Sequence, residues 1–403
     1  MALIKFALRR NLIYPLQLLL YTFARVVLTW ILSHSFEFSA SLFFSPLMFL
    51  GECSGGAIFY FYHKKFIKKK DEGKESYFMS IKLLRNTEDD DDYFIPLDSN
   101  MKILFLIFAN AIFDLGEYPI LTSLMPKYYK HLSSSFTTRY TGFSTLLTLF
   151  FYVYALKLPI YKHHKFSIII IAICLIIMII IEYIYHEKNI YFSYKQLTES
   201  FIFMVVVETF ISLNDSVEKY LFEYDYMNPF LVLMYEGLFG FILSLIYSGA
   251  SGSFDDVRKV YEKCSGGFFA LFLFLLFIYV ILSAGKNLFR VVTNKIYSPM
   301  TKTLTDYLFN PIYLIYYNSL QDDFKFGGKT NTPYFVLNLI LAIIISFFGC
   351  VYNEFIILFS FGLGNETHDQ ISQRSLTNIS EELMNISDDE DSHDSSDDNS
   401  SSK

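Results

Sequence analysis

The sequence predicts an all-α integral membrane protein of about ten transmembrane helices in two inverted five-helix repeats. Three observations predict it. The chain is 53% hydrophobic and 19% aromatic over 403 residues, with a mean hydropathy of +0.34, and its apolar residues come in blocks of roughly bilayer-spanning length. Basic residues cluster between alternate blocks, and two regions of the chain resemble each other at a fixed offset. The net charge of −7 owes much to two soluble stretches, "NTEDDDDYFIPLD" and "SDDEDSHDSSDDNSSSK". That pattern gives no basic surface for a nucleic acid. The four cysteines, Cys53, Cys174, Cys264 and Cys350, are scattered and suggest neither a disulfide framework nor a metal knuckle.

The predicted spans cover residues 12–33, 41–62, 102–124, 133–156, 165–185, 198–215, 228–248, 267–287, 297–318 and 333–360. The first follows Arg9 and Arg10 without a small-residue cleavage site, and is read as a retained helix rather than a signal peptide. "ALRR", "HKKFIKKK", "KLPIYKHHK" and "GKNLFRVVTNK" all fall on one side if the N-terminus is cytosolic, so both termini are expected in the cytosol. The organisation follows: a cytosolic N-terminus (1–11), a first repeat (12–185) with an acidic cytosolic loop (63–101), a second repeat (198–360) and a tail (361–403). The Ser-rich acidic tail is compositionally disordered, and its sequons at Asn365, Asn378 and Asn385 are expected to escape glycosylation on the cytosolic side.

The repeat rests on two motifs. A shift of 167 residues sets Thr137–Tyr140 ("TTRY") on Leu304–Tyr307 ("LTDY") and Tyr185–Glu187 on Tyr352–Glu354. "SPLMFLGECSGG" likewise resembles "NPFLVLMYEGLFG", which sets Glu52 against Glu236 and Gly56 against Gly240. Five spans per half is an odd number, so the halves enter the membrane from opposite sides.

Charges inside spans are costly and tend to face the protein interior. Asn110, Asp114 and Glu117 share one face of span three, while Ser283, Lys286 and Arg290 share a face of span eight. Arg139 in span four and Asp306 in span nine are equivalent under the shift, each followed by a tyrosine, Tyr140 or Tyr307. The functional reading is a central cavity lined by spans three, four, eight and nine. In it Arg139 holds an anionic group, and Asp306, Tyr140, Tyr307, Asp114, Glu117 and Lys286 complete a solute site. The structural reading has Lys286 and Arg290 snorkelling at a cytosolic helix end and Arg139 and Asp306 tying helices together. Glu52 and Glu236, each beside glycines, must be protonated, paired or hydrogen bonded, and are candidates for proton coupling. Gly51 and Gly55 have the small-xxx-small spacing of close helix packing. His131, His163 and His164 are read as surface residues.

A family resemblance accompanies these residues. Val217–Phe241, "VEKYLFEYDYMNPFLVLMYEGLFGF", resembles the span six to span seven passage of the F subgroup of solute carrier family 35, in the drug/metabolite transporter (EamA-like) superfamily. "PLMFLGE" is similar to its second span, "SSSFTTRYTG" to its fourth and "TLTDYLF" to its ninth, although Phe309 stands where the family pattern has an arginine. The resemblance implies ten helices in two inverted repeats and transport in an endomembrane such as Golgi, lysosome or vacuole. It does not carry a substrate over.

The expected function is therefore secondary transport of a small polar or charged organic solute by alternating access, with the bilayer as surroundings, no cofactor or metal, and a homodimer left open. A receptor or scaffold acting through the loop and tail is the alternative, and an intramembrane enzyme using the span-three acids a remote third. No phosphate-binding glycine loop, H-E-x-x-H, C-x-x-C or G-x-S-x-G element occurs, so neither an ATP-driven pump nor a common hydrolase is expected.

Overall fold

A computed structural model describes residues 4–6, 13–36, 43–70, 101–119, 142–157, 160–186, 194–263, 266–320 and 332–358, with isolated residues and pairs between and beyond these blocks. The acidic loop between 71 and 100, residues 120–138 and nearly all of the tail lie outside the described residues, as do the side chains of Glu117 and Asp306. The structure is an all-α bundle: α1 (Ile13–Ser35), α2 (Phe44–Lys70), α3 (Met101–Pro119), α4 (Gly142–Tyr154), α5 (Lys162–His186), α6 (Tyr194–Glu223), α7 (Pro229–Ala250), α8 (Phe254–Lys263), α9 (Gly266–Ile296), α10 (Pro299–Tyr307), α11 (Asn310–Leu320) and α12 (Thr332–Tyr352). Among the described residues, six helices are long and apolar enough to cross a membrane: α1, α5, α6, α7, α9 and α12.

The outer surface explains the composition. On α5, Ile169, Ile173, Ile176, Ile180 and Ile184 form one stripe at spacings of three and four, each at least half exposed. In water such a stripe would seek a partner; in a bilayer it meets acyl chains. The chain is a multi-pass membrane protein.

Proline and capping chemistry set several boundaries. Asn228 accepts the Phe230 N–H at 2.9 Å ahead of Pro229 and starts α7, and Ser298 accepts the Thr301 N–H at 3.0 Å ahead of Pro299 and starts α10. The expected ninth span, 297–318, is not continuous: it is broken into α10 and α11. The cause is Pro311, which has no N–H for the Tyr307 carbonyl four residues earlier. The Ser346 hydroxyl approaches that carbonyl instead, at 3.5 Å.

The expected tenth span, 333–360, ends early, at Tyr352. The Phe355 N–H returns to the Cys350 carbonyl at 2.9 Å, with Glu354 in the left-handed region at φ +56°, a helix-terminating arrangement usually built on glycine. Residues Ile356–Leu358 then form a strand (β4) antiparallel to Ile4–Phe6 (β1). Residues Ile4–Phe6 are thus held to the end of the bundle, a contact that the reading of 1–11 as a cytosolic N-terminus did not anticipate. A two-residue hairpin, Lys325–Phe326 (β2) with Lys329–Thr330 (β3), links α11 to α12. The short helix α8 was not expected from the hydropathy pattern because it is polar on one face, with Val260 buried and Tyr261 exposed.

The helices that approach most closely do so at glycines. A Cβ on Gly237 of α7 would stand 2.3 Å from the Cys53 nitrogen of α2, and one on Gly56 2.6 Å from the Met234 nitrogen. Gly51 and Gly55 do the same for α2 against α9, where a Cβ would lie 2.5 Å from the Val280 oxygen and 3.2 Å from the Ala284 Cβ. The small-residue spacing read in the sequence therefore packs α2 against α9, while Gly56 packs it against α7. Other packed pairs are α1 with α9, α3 with α6 and α7, α4 with α6 and α10, and α5 with α12.

Candidate functional site

Arg290 stands six residues before the end of α9 and is 4% exposed. Rather than snorkelling to water, it turns into the bundle. This corrects the sequence expectation, and the reason is its neighbours. Its Nη2 lies 2.8 Å from Glu52 Oε1 of α2, 3.0 Å from Glu218 Oε1 of α6 and 3.4 Å from Glu236 Oε1 of α7. Its Nη1 donates to Asn214 Oδ1 at 2.8 Å, and the Asn214 amide donates to Glu236 Oε1 at 3.0 Å. One guanidinium thus ties together four helices in fork geometry, a task a lysine could not perform.

Helical spacing prepares the same surroundings. Asn214 and Glu218 are one turn apart on α6, as are Arg290 and Asn294 on α9. Asn294 Nδ2 donates to Glu218 Oε2 at 2.9 Å and to the Asp215 carbonyl at 2.9 Å. On the flank, Lys302 of α10 donates to Asp215 Oδ2 at 3.0 Å. Asp114 of α3, 8% exposed, completes an acidic group with Glu52 and Glu236 in which one carboxylate oxygen from each lies within 4.8 Å of the others. Glu52 Oε2 and Glu236 Oε2 are buried without hydrogen-bond partners.

Charge counting shows what this centre can do. Four carboxylates, Glu52, Asp114, Glu218 and Glu236, surround the single guanidinium of Arg290, so four negative charges against one leave an excess of three if all are ionised. Buried charge on that scale is not stable uncompensated. Those carboxylates must therefore be compensated by protons or by further positive groups.

Arg139 belongs to a second group. It is 1% exposed and donates to Glu182 of α5 and to the Tyr334 hydroxyl of α12. Tyr334 in turn donates to Glu182, and Tyr140 donates to the same carboxylate at 3.1 Å. The Tyr307 hydroxyl donates to the Arg139 carbonyl at 3.3 Å. Arg139, Tyr140 and Tyr307 are thus brought together as the sequence suggested, but the guanidinium is already engaged by a carboxylate.

The single cavity expected from spans three, four, eight and nine is resolved into two groups: Asp114 lies with Glu52, Glu236 and Arg290, and Arg139 with Glu182 and Tyr334. Lys286 is half-buried on α9 one turn before Arg290, and it too has an interaction partner. Asp306 and Glu117 lie on α10 and α3, with their side chains outside the described residues. His163, read as a surface residue, is 3% exposed, because α5 begins against the end of α12.

Sequence reasoning missed Glu182, Tyr334, Glu218 and Asn214. Glu182 did carry a signal, as a lone acid in "IIMIIIEYIY". Glu218 stood in the passage "VEKYLFEYD", where it carried the family resemblance and no site role.

The second group makes a direct prediction. Glu182→Gln strands a buried guanidinium and is expected to lower stability by about 3–5 kcal/mol, whereas Tyr334→Phe, which removes one hydroxyl, costs about 1–3 kcal/mol. Thermal unfolding of both variants in detergent checks the order; equal effects would mean that Glu182 does not balance Arg139.

No protein-family model matches the chain, and no curated protein matches it.

Proposed function

We propose that this chain is a secondary transporter with ten membrane-crossing segments in two inverted five-helix repeats, of the drug/metabolite transporter type and similar to the F subgroup of solute carrier family 35. The observation that carries the reading is the acid-rich centre around Arg290, built where α2 of one half crosses α7 of the other. A transporter needs a buried polar site that both halves share, and whose charge changes with occupancy.

The packing supports the repeat. Let α1 to α4 correspond to α6, α7, α9 and α10–α11, and α5 to α12. Exchanging the halves then leaves the pairs α2 with α7, α4 with α10 and α5 with α12 unchanged. It turns α1 with α9 into α6 with α3, α2 with α9 into α7 with α3, and α4 with α6 into α10 with α1, all of which are packed pairs. The offset of 184 residues that sets Glu52 on Glu236 also sets Cys53 on Gly237, so the tightest approach to backbone in the α2–α7 crossing is its own equivalent. Pairing of β1 with β4 supports an even number of crossings, with both termini on one side. The basic loops favour the cytosolic side for them, and the family resemblance favours an endomembrane.

The solute is a small polar or charged organic molecule. Glu52 and Glu236 are the residues proposed to exchange protons with it, since both abut Arg290 and each keeps an unpartnered oxygen. Arg139, Tyr140 and Tyr307 stand beside the break between α10 and α11, and with Asp306, Asp114, Glu117 and Lys286 they are the residues proposed to meet the solute.

Purified protein in proteoliposomes, tested with nucleotide sugars, nucleotides, vitamins, amino acids and organic cations, is expected to show saturable uptake of one class driven by a pH gradient. Glu236→Gln is expected to retain solute exchange at equal pH on both sides while losing the gradient-driven component. Gradient-driven uptake by the variant at the native rate would remove Glu236 from coupling. Absence of flux across the panel would favour the receptor or scaffold reading.

A further inference from the structure

The N-terminus of α5 and the C-terminus of α12 meet at three side chains that the two ionic groups do not use. His163 Nε2 lies 3.3 Å from Glu354 Oε1, and the rings of His163 and His164 approach to a centroid distance of 4.1 Å. Neighbouring residues on a helix diverge by about 100°, so two adjacent imidazoles in such contact have turned toward a common point. His163, His164 and Glu354 each offer one donor atom, and the three atoms all lie within 4.8 Å of one another.

The nitrogens are prepared for a ligand. The Nδ1 atoms of His163 and His164 are buried without a hydrogen-bond partner, while His163 Nε2 has only the Glu354 carboxylate beside it, and folded proteins avoid unsatisfied buried nitrogens unless something else satisfies them. The His164 ring is stacked against the Tyr352 ring at a centroid distance of 4.3 Å, which fixes its orientation.

Glu354 adds a separate sign. It occupies the left-handed position that ends α12 at φ +56°, where glycine would serve the backbone better. A glutamate there carries a conformational cost and gains a carboxylate 3.3 Å from His163.

We propose that His163, His164 and Glu354 bind a divalent transition-metal ion of the zinc class. Two imidazoles and one carboxylate are a known zinc donor set, and three protein ligands leave a fourth position for water. The ion joins α5 to α12 at the end opposite the Arg139–Glu182–Tyr334 group. His163 and Glu182 are 19 residues apart on α5, about 28 Å along the helix axis. Metal binding at one end thus clamps the pair that the arginine group clamps at the other. The assignment is independent of the transport reading.

Full-length protein in detergent, stripped with chelator and dialysed against zinc chloride, is expected to retain one zinc per chain and to unfold at a higher temperature than the stripped form. His163→Ala and Glu354→Gln are each expected to weaken zinc binding about tenfold or more. Should either variant fail to fold, cobalt chloride added to the stripped native protein gives the same information: intense visible absorption of a four-coordinate, imidazole-bound ion supports the site. A spectrum unchanged from hydrated cobalt, a zinc content near background after dialysis, or native affinity in both variants overturns it.

Discussion

Replacing Arg290 with methionine is expected to destabilise the protein strongly. The residue is 4% exposed, and its guanidinium lies within 3.4 Å of three glutamate oxygens from three different helices. Methionine fills much of the volume but leaves Glu52, Glu218 and Glu236 in the bundle with no cation. Breaking one buried pair in this way costs about 3–5 kcal/mol, a large part of the roughly 5–15 kcal/mol that holds a typical domain folded. Arg290→Lys keeps the charge but loses the fork, and falls between methionine and the native protein. Restoring the balance is the sharper test: Arg290→Met with Glu236→Gln is expected to recover part of the loss, since one unpaired carboxylate has gone. Thermal unfolding in detergent, read as the fraction remaining monodisperse after heating, ranks the variants. A double variant no more stable than Arg290→Met would show that neutralisation is not what Arg290 supplies.

Gly237→Ala is the second large effect, and it arises from a single methyl group. Its Cβ would sit 2.3 Å from the Cys53 nitrogen and 2.8 Å from the Cys53 Cα. Both are backbone atoms of α2, so no side chain can turn aside, and the helices must separate. Overpacking costs about 1–3 kcal/mol where side chains can adjust; here the cost is expected at the upper end or beyond. Separation also moves Glu52, one residue from the contact, away from Arg290, so flux is expected to fall further than the loss of folded protein explains. Gly267→Ala is the matched control. Nothing lies within 4 Å of its added Cβ, and exchanging glycine for alanine in a helix is neutral or stabilising by up to about 1 kcal/mol. If Gly237→Ala proved as benign as Gly267→Ala, the close α2–α7 crossing would be wrong.

Some of this was open to inspection in the linear chain. Membrane character is a property of composition, and the helices follow the apolar blocks because each block must satisfy its own backbone within lipid. The equivalence of Glu52 and Glu236 was also readable, as each sits in a similar glycine-rich passage. Boundaries failed where one residue overrode the hydropathy: Pro311 divides the ninth block, and the turn around Glu354 ends α12 although apolar residues continue. Arg290 and His163 were misread for a shared reason. A cation or histidine near a helix end is ordinarily solvated, and only the packing of a neighbouring helix over that end buries it.

The sequence by itself determined that the chain is helical, crosses a membrane repeatedly and carries acids and bases inside apolar segments, because these follow from local transfer free energies. Which acid meets which base was decided only by the tertiary structure. Arg290 and Glu52 are 238 residues apart, Arg139 and Tyr334 195, and no local pattern encodes such distances. Glycines that let α2 and α7 touch backbone to backbone set the first of these pairings and the packing of α5 on α12 sets the surroundings of the second, since a buried charge takes the partner that helix packing brings within reach.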